Sequence, residues 1–510
     1  MKLLDWSIIV IFFGTLMTIG MIFSRKNKNL NDYFLGGRSM PAWLVSLAVV
    51  GTSISAGTFV GVPQVAYGGN ITYLMLSIGG IIGGILAAII FIPTFYKANT
   101  ITIYGYLGQR FGHVAVSSTS IAFLLGQLLT SGSRLFIAAI AVSVMLYNDI
   151  MLPNLIISII ILGVISTLYT MAGGIKGLIY IDSLQILIVL FSGLLCVFLI
   201  RDSIPLSIPE IIEALKHSPT GNKIMLVDTK FSFTQPYNLM GTLIAFAIFR
   251  IAQFGTDQEF VQRMMTCKSV KKASLSLIYS QFISLPIVFI FLVIGLLLYI
   301  FYSRLDIMGT NVPVEVLNDS RQVFPQYIFN HLPSGLLGVT MIGLLAAALS
   351  SFNSAINSMT SSFVSDIYLP LKKGLNKKTS NVSELKESRI TVVFMGGILT
   401  AFAVAAAFMQ EMGGQNLVDF ALGIMSFSYA GMLGVFLCAV LTKRGNVKSV
   451  IAALIIGALV VLLLQPYIMP SWTKYFFGHA VNLAWTWWVL VGGSISFIIC
   501  SLGKPKKSKK

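Results

Sequence analysis

The chain has 510 residues, of which 56% are apolar and 10% charged, with mean hydropathy +0.86 and a formal net charge of +17. No soluble globular surface can be built from that composition, so a water-soluble enzyme or binding module is excluded and lipid is the natural solvent. The longest polar stretches are too short to enclose a core of their own.

Apolar runs near the length a helix needs to cross a roughly 30 Å hydrocarbon layer recur along the whole chain. They lie near 6–24, 42–67, 72–96, 118–146, 153–171, 180–200, 236–255, 271–302, 334–366, 388–409, 417–441, 447–466 and 483–502. The predicted fold is an all-α polytopic membrane protein of about 13 transmembrane helices, because a membrane barrel would show short alternating segments instead. The first run is followed by Arg25, Lys26 and Lys28 without a small-residue cleavage site, and reads as a retained span.

Lys and Arg cluster in alternate connections: Lys97 and Arg110, Lys176, Arg263 with Lys268, Lys271 and Lys272, the run from Lys372 to Lys386, and Lys443 with Arg444. The tight opposite loops near Gly68, Asp149 and Gln415 carry none. The positive-inside rule then predicts a multi-pass protein of the cell membrane, N-terminus outside and the basic tail from Lys504 to Lys510 cytoplasmic. Topology accounts for most of the net charge without nucleic acid, and a basic patch for anionic lipid is an alternative use of the tail. Cys196, Cys267, Cys438 and Cys500 are scattered, implying neither a disulfide framework nor a thiol metal site. The four histidines fall in connections or near span ends, which disfavours a histidine proton relay.

Two spans are poor helix material at bilayer depth. Span 2 contains Val50-Gly51-Thr52-Ser53-Ile54-Ser55-Ala56-Gly57-Thr58, then Gly61 and Pro63; span 7 has Gly241-Thr242 and ends in Arg250, Gln253, Gly255, Thr256 and Asp257. Unwound backbone inside a membrane must line a cavity or be buried in protein, and paired interruptions in two halves point to inverted repeats. The expectation is a single transport domain over 1–510, with five-plus-five repeats near 42–200 and 236–441. Helices 6–24, 447–466 and 483–502 flank them.

Span 9 places Ser350, Ser354, Asn357, Ser361 and Ser365 on one helical face, serving either helix packing or, beside a broken helix, the oxygen shell of a hard cation such as sodium. Asp182, opening span 6 after Gly173-Gly174, is either interfacial or a cation ligand. Asp257, Glu259 and Asp366 sit nearer span ends and read as interfacial. Arg134, in the middle of span 4, carries an insertion cost of about 2.5–3.5 kcal/mol, so it needs either an ion pair or a solute carboxylate, for which its fork is suited. Arg250 either snorkels or faces the same cavity, and Tyr73 and Phe246 are aromatics placed to close over a bound solute.

These residues resemble the solute:sodium symporter family, through Asp32-Tyr33-Phe34-Leu35-Gly36-Gly37-Arg38, the span 2 run, Gly173-Gly174 to Asp182, Asp257-Gln258 to Gln262-Arg263, and Ala346 to Ser354 with Ser365-Asp366-Ile367-Tyr368. The resemblance implies a LeuT-type core and a sodium site made by the carbonyls of Gly51, Ile54 and Ala347 with the hydroxyls of Ser350 and Ser351. A second sodium site, present in some members, would use Asp182, Ser350, Ser354 and Asn353, the last standing where the sialic acid transporter that the chain most resembles carries Ser. Arg134 matches the arginine of bacterial sialic acid symporters, whose solute is also held by positions equivalent to Ser53, Ser55, Thr58 and Phe246. Ser77 and Arg250 depart from that pattern, replacing Gln and Asn. The implied function is sodium-coupled import of a small anion, with sialic acid first and another monocarboxylate, a sugar or a vitamin as alternatives. The other classes are a transporter-like receptor, which would want a soluble output domain, and an intramembrane enzyme, which would want a Ser/His or paired-Asp constellation. No obligate protein partner is implied.

Overall fold

A computed structural model describes residues 1–24, 28–309, 320–374, 381–413 and 417–505. Arg25, Lys26, Lys377, Lys378, Gln415 and Lys506 to Lys510, used above for orientation, lie outside the described residues.

Among the described residues there is no β-strand. The apolar runs, with the short polar helix α8 between two of them, become α1 (Leu3–Ser24), α2 (Ala42–Ser53), α3 (Gly57–Gly68), α4 (Thr72–Ala98), α5 (His113–Tyr147), α6 (Leu152–Asp202), α7 (Gly241–Thr256), α8 (Gln258–Met264), α9 (Val270–Ser303), α10 (Leu336–Ser362), α11 (Asn381–Gly413), α12 (Leu417–Leu441), α13 (Val447–Leu463) and α14 (Trp485–Leu502). Nine described helices are long and apolar enough to cross a membrane, and α2 with α3 makes a tenth as one broken span. Three shorter apolar helices, Leu152–Leu168, Gly241–Thr256 and Val447–Leu463, coincide with the remaining predicted runs. Among the described residues ten segments, counting the α2–α3 pair as one, thus meet the length of a crossing, and the expected number of about 13 crossings is reached only by adding these three shorter helices.

Local chemistry sets the interruptions. Pro41, extended at φ −73° and ψ 144°, opens α2 by lacking the N–H that a first turn leaves unpaired. At Ile54 the backbone turns out of the helix (φ −84°, ψ 100°), and α3 leaves at 61° to α2. The start of α3, Gly57–Gly61, and the start of α7, Gly241–Phe246, are both wound as π-turns. Such bulges recur at functional positions because they redirect side chains and loosen the backbone ladder. α6 bends at Gly174, whose φ of 61° and ψ of −179° lie where only glycine is unstrained.

α6 and α10 form the centre, packed on each other and both against α1 and α2. α9 lies along α2 and α3, α5 and α11 pack together, and α12 with α13 and α14 closes the opposite side. α4 and α7 approach almost backbone to backbone. A Cβ on Gly79 would lie 2.3 Å from the Thr242 carbonyl oxygen, which belongs to the main chain and cannot rotate away.

Gly79→Ala should therefore overpack the α4–α7 contact and destabilise the protein by about 1–3 kcal/mol. Gly14→Ala, with nothing within 4 Å of the added methyl, should leave stability unchanged or raise it slightly, since helices favour Ala over Gly. Thermal melting of the two purified variants in detergent separates them, and equal melting temperatures would contradict the close approach.

Candidate functional site

The break between α2 and α3 faces a narrow cavity of about 70 Å³ in the middle of the helix assembly. Ser53, Ser55 and Thr58 line it from the break itself, Tyr73 and Ser77 from α4, Arg134 from α5, and Phe246 and Arg250 from α7. All eight residues singled out from sequence for the solute thus meet around one space. Met425 and Val418 of α12 complete its apolar wall. Arg134 and Arg250 line the cavity, and among the described residues no acidic side chain does.

Arg134 is buried, at 7% exposure, and its Nη1 lies 3.4 Å from Glu259 Oε2 and 3.5 Å from Oε1. Its Nη2 rests 3.7 Å from the sulfur of Met425. Glu259 is fully buried and shares Gln127 with Asp257: the Gln127 amide donates to both Asp257 oxygens, at 3.0 and 3.1 Å, and to Glu259 at 3.2 Å. Asp257 also caps α8, accepting the Glu259 N–H at 2.8 Å, and accepts the Tyr429 hydroxyl at 2.8 Å. The expectation that Asp257 and Glu259 are interfacial is overturned. The chain turns out of the helix at Asp257 (φ −97°, ψ 118°) and carries both acids into the protein instead of toward water.

Beneath the cavity the end of α2 meets α10 and α6. The last turn of a helix leaves carbonyls without intrahelical partners, and here those of α2 face a row of hydroxyls. Ser351 donates to the Thr52 carbonyl at 3.2 Å, and the Thr52 and Ser354 hydroxyls stand 3.4 Å apart. Gly51 packs so closely that a Cβ there would be 3.0 Å from the Asp182 carbonyl oxygen and 3.4 Å from Ser350 Oγ. Ile54 and Ala347, the other residues of the expected sodium site, are buried at 3% and 2% exposure, Ala347 one turn before Ser351 on α10. Carbonyls freed by a helix break and hydroxyls on a facing helix are the oxygen donors that a hard cation takes, and the residues present fit a sodium ion as cargo.

The expected second sodium set is arranged differently. Asp182 is fully buried, not interfacial. Its Oδ1 accepts the Ser350 hydroxyl at 2.7 Å, and its Oδ2 accepts Arg263 Nη2 at 2.7 Å and Nε at 3.2 Å. Arg263 also donates to Ser354 Oγ, and its Nη1 to the Glu259 carbonyl at 2.8 Å. A guanidinium thus lies on Asp182 and Ser354, while Asn353 turns away, its Oδ1 accepting the Thr170 hydroxyl at 2.7 Å. Sequence reasoning placed Arg263 in a cytoplasmic connection, yet it is fully buried. The available signal was the spacing: Glu259 and Arg263, like Gln258 and Gln262, stand four apart on α8, polar on two adjacent faces of one short helix.

The sodium:solute symporter family model matches residues 33–457. The chain belongs to that family. The sodium/sialic acid symporter SiaT of Proteus mirabilis is 26% identical over 463 residues, covering 90% of this chain and 89% of its own. NanT of Aliivibrio fischeri, also a sodium/sialic acid symporter, is 26% identical over 463 residues, covering 90% and 87%. A solved substrate-bound, outward-open Na+-coupled sialic acid symporter superposes with a TM-score of 0.83 over 100% of both chains at 23% identity, a likeness of fold. The chain is accordingly a multi-span membrane transporter of a sodium-coupled family.

Because the Asp182–Arg263 pair is wholly buried, Asp182→Asn should leave an uncompensated guanidinium and cost about 3–5 kcal/mol. Arg263→Gln added to it should recover a large part of that loss. A double-mutant cycle of melting temperatures measures the coupling, and purely additive effects would show that the two groups do not depend on each other.

Proposed function

We propose that this protein is a sodium-coupled symporter that imports a small organic anion, sialic acid (N-acetylneuraminate) being the first candidate, by alternating access. The observation that carries the reading is the central cavity at the α2–α3 break, whose charged lining consists of Arg134 and Arg250. Kinship with the sialic acid symporters of two bacteria supports the solute, and Tyr73 and Phe246 supply the apolar faces that a pyranose ring stacks on.

In this reading sodium enters the oxygens of Gly51, Ile54, Ala347, Ser350 and Ser351 and draws the end of α2 onto α10. The Ser53, Ser55 and Thr58 hydroxyls are thereby fixed to receive the solute. Without the ion those buried acceptors are left poorly satisfied, which costs free energy, so ion and solute each raise the other's affinity. Repeats near 42–200 and 236–441 would rock against each other, with the N-terminus outside and the C-terminus cytoplasmic as the loop charges imply. Transport without covalent chemistry is the accompanying expectation.

The Arg263 guanidinium on Asp182 and Ser354 supports one sodium per solute in place of two. One sodium with one monoanion moves no net charge, whereas two sodium ions would move one, worth about 2.3 kcal/mol per 100 mV. Uptake of labelled N-acetylneuraminate into proteoliposomes should require an inward sodium gradient and should be insensitive to a potassium diffusion potential. Sodium-independent uptake would refute the symport, and acceleration by a negative interior would refute the single ion. Ser351→Ala should raise the sodium concentration giving half-maximal uptake about tenfold, corresponding to about 1.4 kcal/mol, with the maximal rate largely preserved.

A further inference from the structure

The two cavity arginines are not equivalent. Arg134 already has a carboxylate: Glu259, fully buried, stands against its Nη1. Arg250 has none among the described residues. Its Nη1 donates to the neutral Gln253 side chain at 2.7 Å, its Nε is buried with no hydrogen-bond partner, and its guanidinium carbon lies over the rings of Phe246 at 5.0 Å and Phe254 at 5.5 Å.

The fold makes room for this group deliberately. α4 presents Gly80 and Gly83 to it: a Cβ on Gly80 would be 3.5 Å from Arg250 Nε, and one on Gly83 would be 2.6 Å from Arg250 Cβ. Arg250 is therefore held between a glycine face and two aromatic faces, with Ser77 opposite in the cavity lining, and it does not snorkel to an interface. An aromatic sandwich orients a guanidinium but neutralises none of its charge. An unneutralised guanidinium at bilayer depth is costly, and a carboxylate or other oxyanion arriving in the cavity relieves that cost most where no counter-ion is yet present.

We propose that Arg250 takes the anionic group of the solute, while Arg134, committed to Glu259, is a positioning residue that fixes α5 against α8. This rests on the organic-anion reading and departs from what the family resemblance implies for Arg134, taking the ion-pair alternative there and the cavity alternative for Arg250. The departure at Arg250 and Ser77 then becomes a specificity device: the anion is anchored on the α4–α7 side of the cavity.

The test compares binding of N-acetylneuraminate and its uncharged methyl ester to the full-length protein in saturating sodium. Two variants are needed besides the parent, Arg250→Gln and the paired Arg134→Gln/Glu259→Gln, the second removing both charges so that neither is left alone. The expected result is a preference for the acid of about 100-fold in the parent, within threefold of none in Arg250→Gln, and retained to at least a third in the paired variant. A sodium-induced rise in melting temperature checks that each variant is folded. Should Arg250→Gln not fold, Arg250→Lys replaces it. Lys keeps the charge without the fork, so the preference should fall at least tenfold without vanishing. Acid preference surviving in Arg250→Gln, left undiminished in Arg250→Lys, or lost in the paired variant overturns the assignment. If the parent binds neither compound, the sialic acid reading fails by itself. The variants are then compared for sodium-driven uptake of lactate, biotin and galactose. Loss of an anion's uptake in Arg250→Gln alone sustains the proposal. Uptake of galactose only, or of none of the three, overturns it.

Discussion

A backbone carbonyl in the interior of a membrane has no water to turn to, and each one left unpaired costs several kcal/mol. The break at Ile54 releases the last carbonyls of α2 at that depth, and the surrounding arrangement answers them. α10 supplies a ladder of small hydroxyl residues instead of the leucines that ordinary packing would favour, and α6 brings Asp182 alongside. Because the side chains are small, α2 comes close enough for Gly51 to touch the Asp182 main chain. A monovalent cation completes such a set better than any side chain, since it offers positive charge without volume. The sodium coupling proposed above rests on this local break in one helix.

The second constraint is charge. α5 to α8 carry Arg134, Arg250, Arg263, Asp182, Asp257 and Glu259 into the protein, most of them away from any solvent. Burying ions is expensive even in pairs, and replacing such pairs by apolar groups is often neutral or better. Their retention therefore calls for a role other than stability. Arg263 and Asp182 tie α8 to α6 beside the proposed sodium oxygens, and Arg134 and Glu259 tie α5 to α8 beside the cavity. α8 is short and is joined to α7 through the single non-helical residue Asp257, so both pairs attach next to the helix that carries Arg250 and Phe246 into the cavity wall. The proposed ion and solute sites are thus bordered by one seven-residue helix, α8.

Much of this was legible in the chain itself. Long apolar runs report helices because hydropathy is local, and each predicted run lies on a helix or on the α2–α3 pair. The break in span 2 was legible because Gly, Ser and Pro disfavour helix through their own backbones. Arg134 stood out because it is far from both ends of its span. What escaped was position in space. Asp257, Glu259 and Arg263 lie at the end of a span by residue count, so they read as interfacial or cytoplasmic, but the turn at Asp257 folds α8 back among the other helices. No run of hydropathy reports such a turn. Asp182 stayed open between an interfacial residue and a cation ligand for the same reason, since the bend at Gly174 displaces the segment that follows it. The direction of the Asn353 amide toward Thr170 is likewise a property of the facing helix, invisible in its own neighbours.

The π-turns at the starts of α3 and α7 bear on how such an assembly can move. A regular helix transmits a push along its length, because each residue is tied by a hydrogen bond to the next turn. A π-turn has one residue too many for that ladder and bends at lower cost. Here the two loosened segments carry cavity groups, Gly57 and Thr58 in one and Phe246 in the other, while α6 and α10 beneath them are long and tightly packed. In the alternating access proposed above, the α2–α3 break and the π-turn that opens α7 are the places where the helices around the cavity bend at lowest cost.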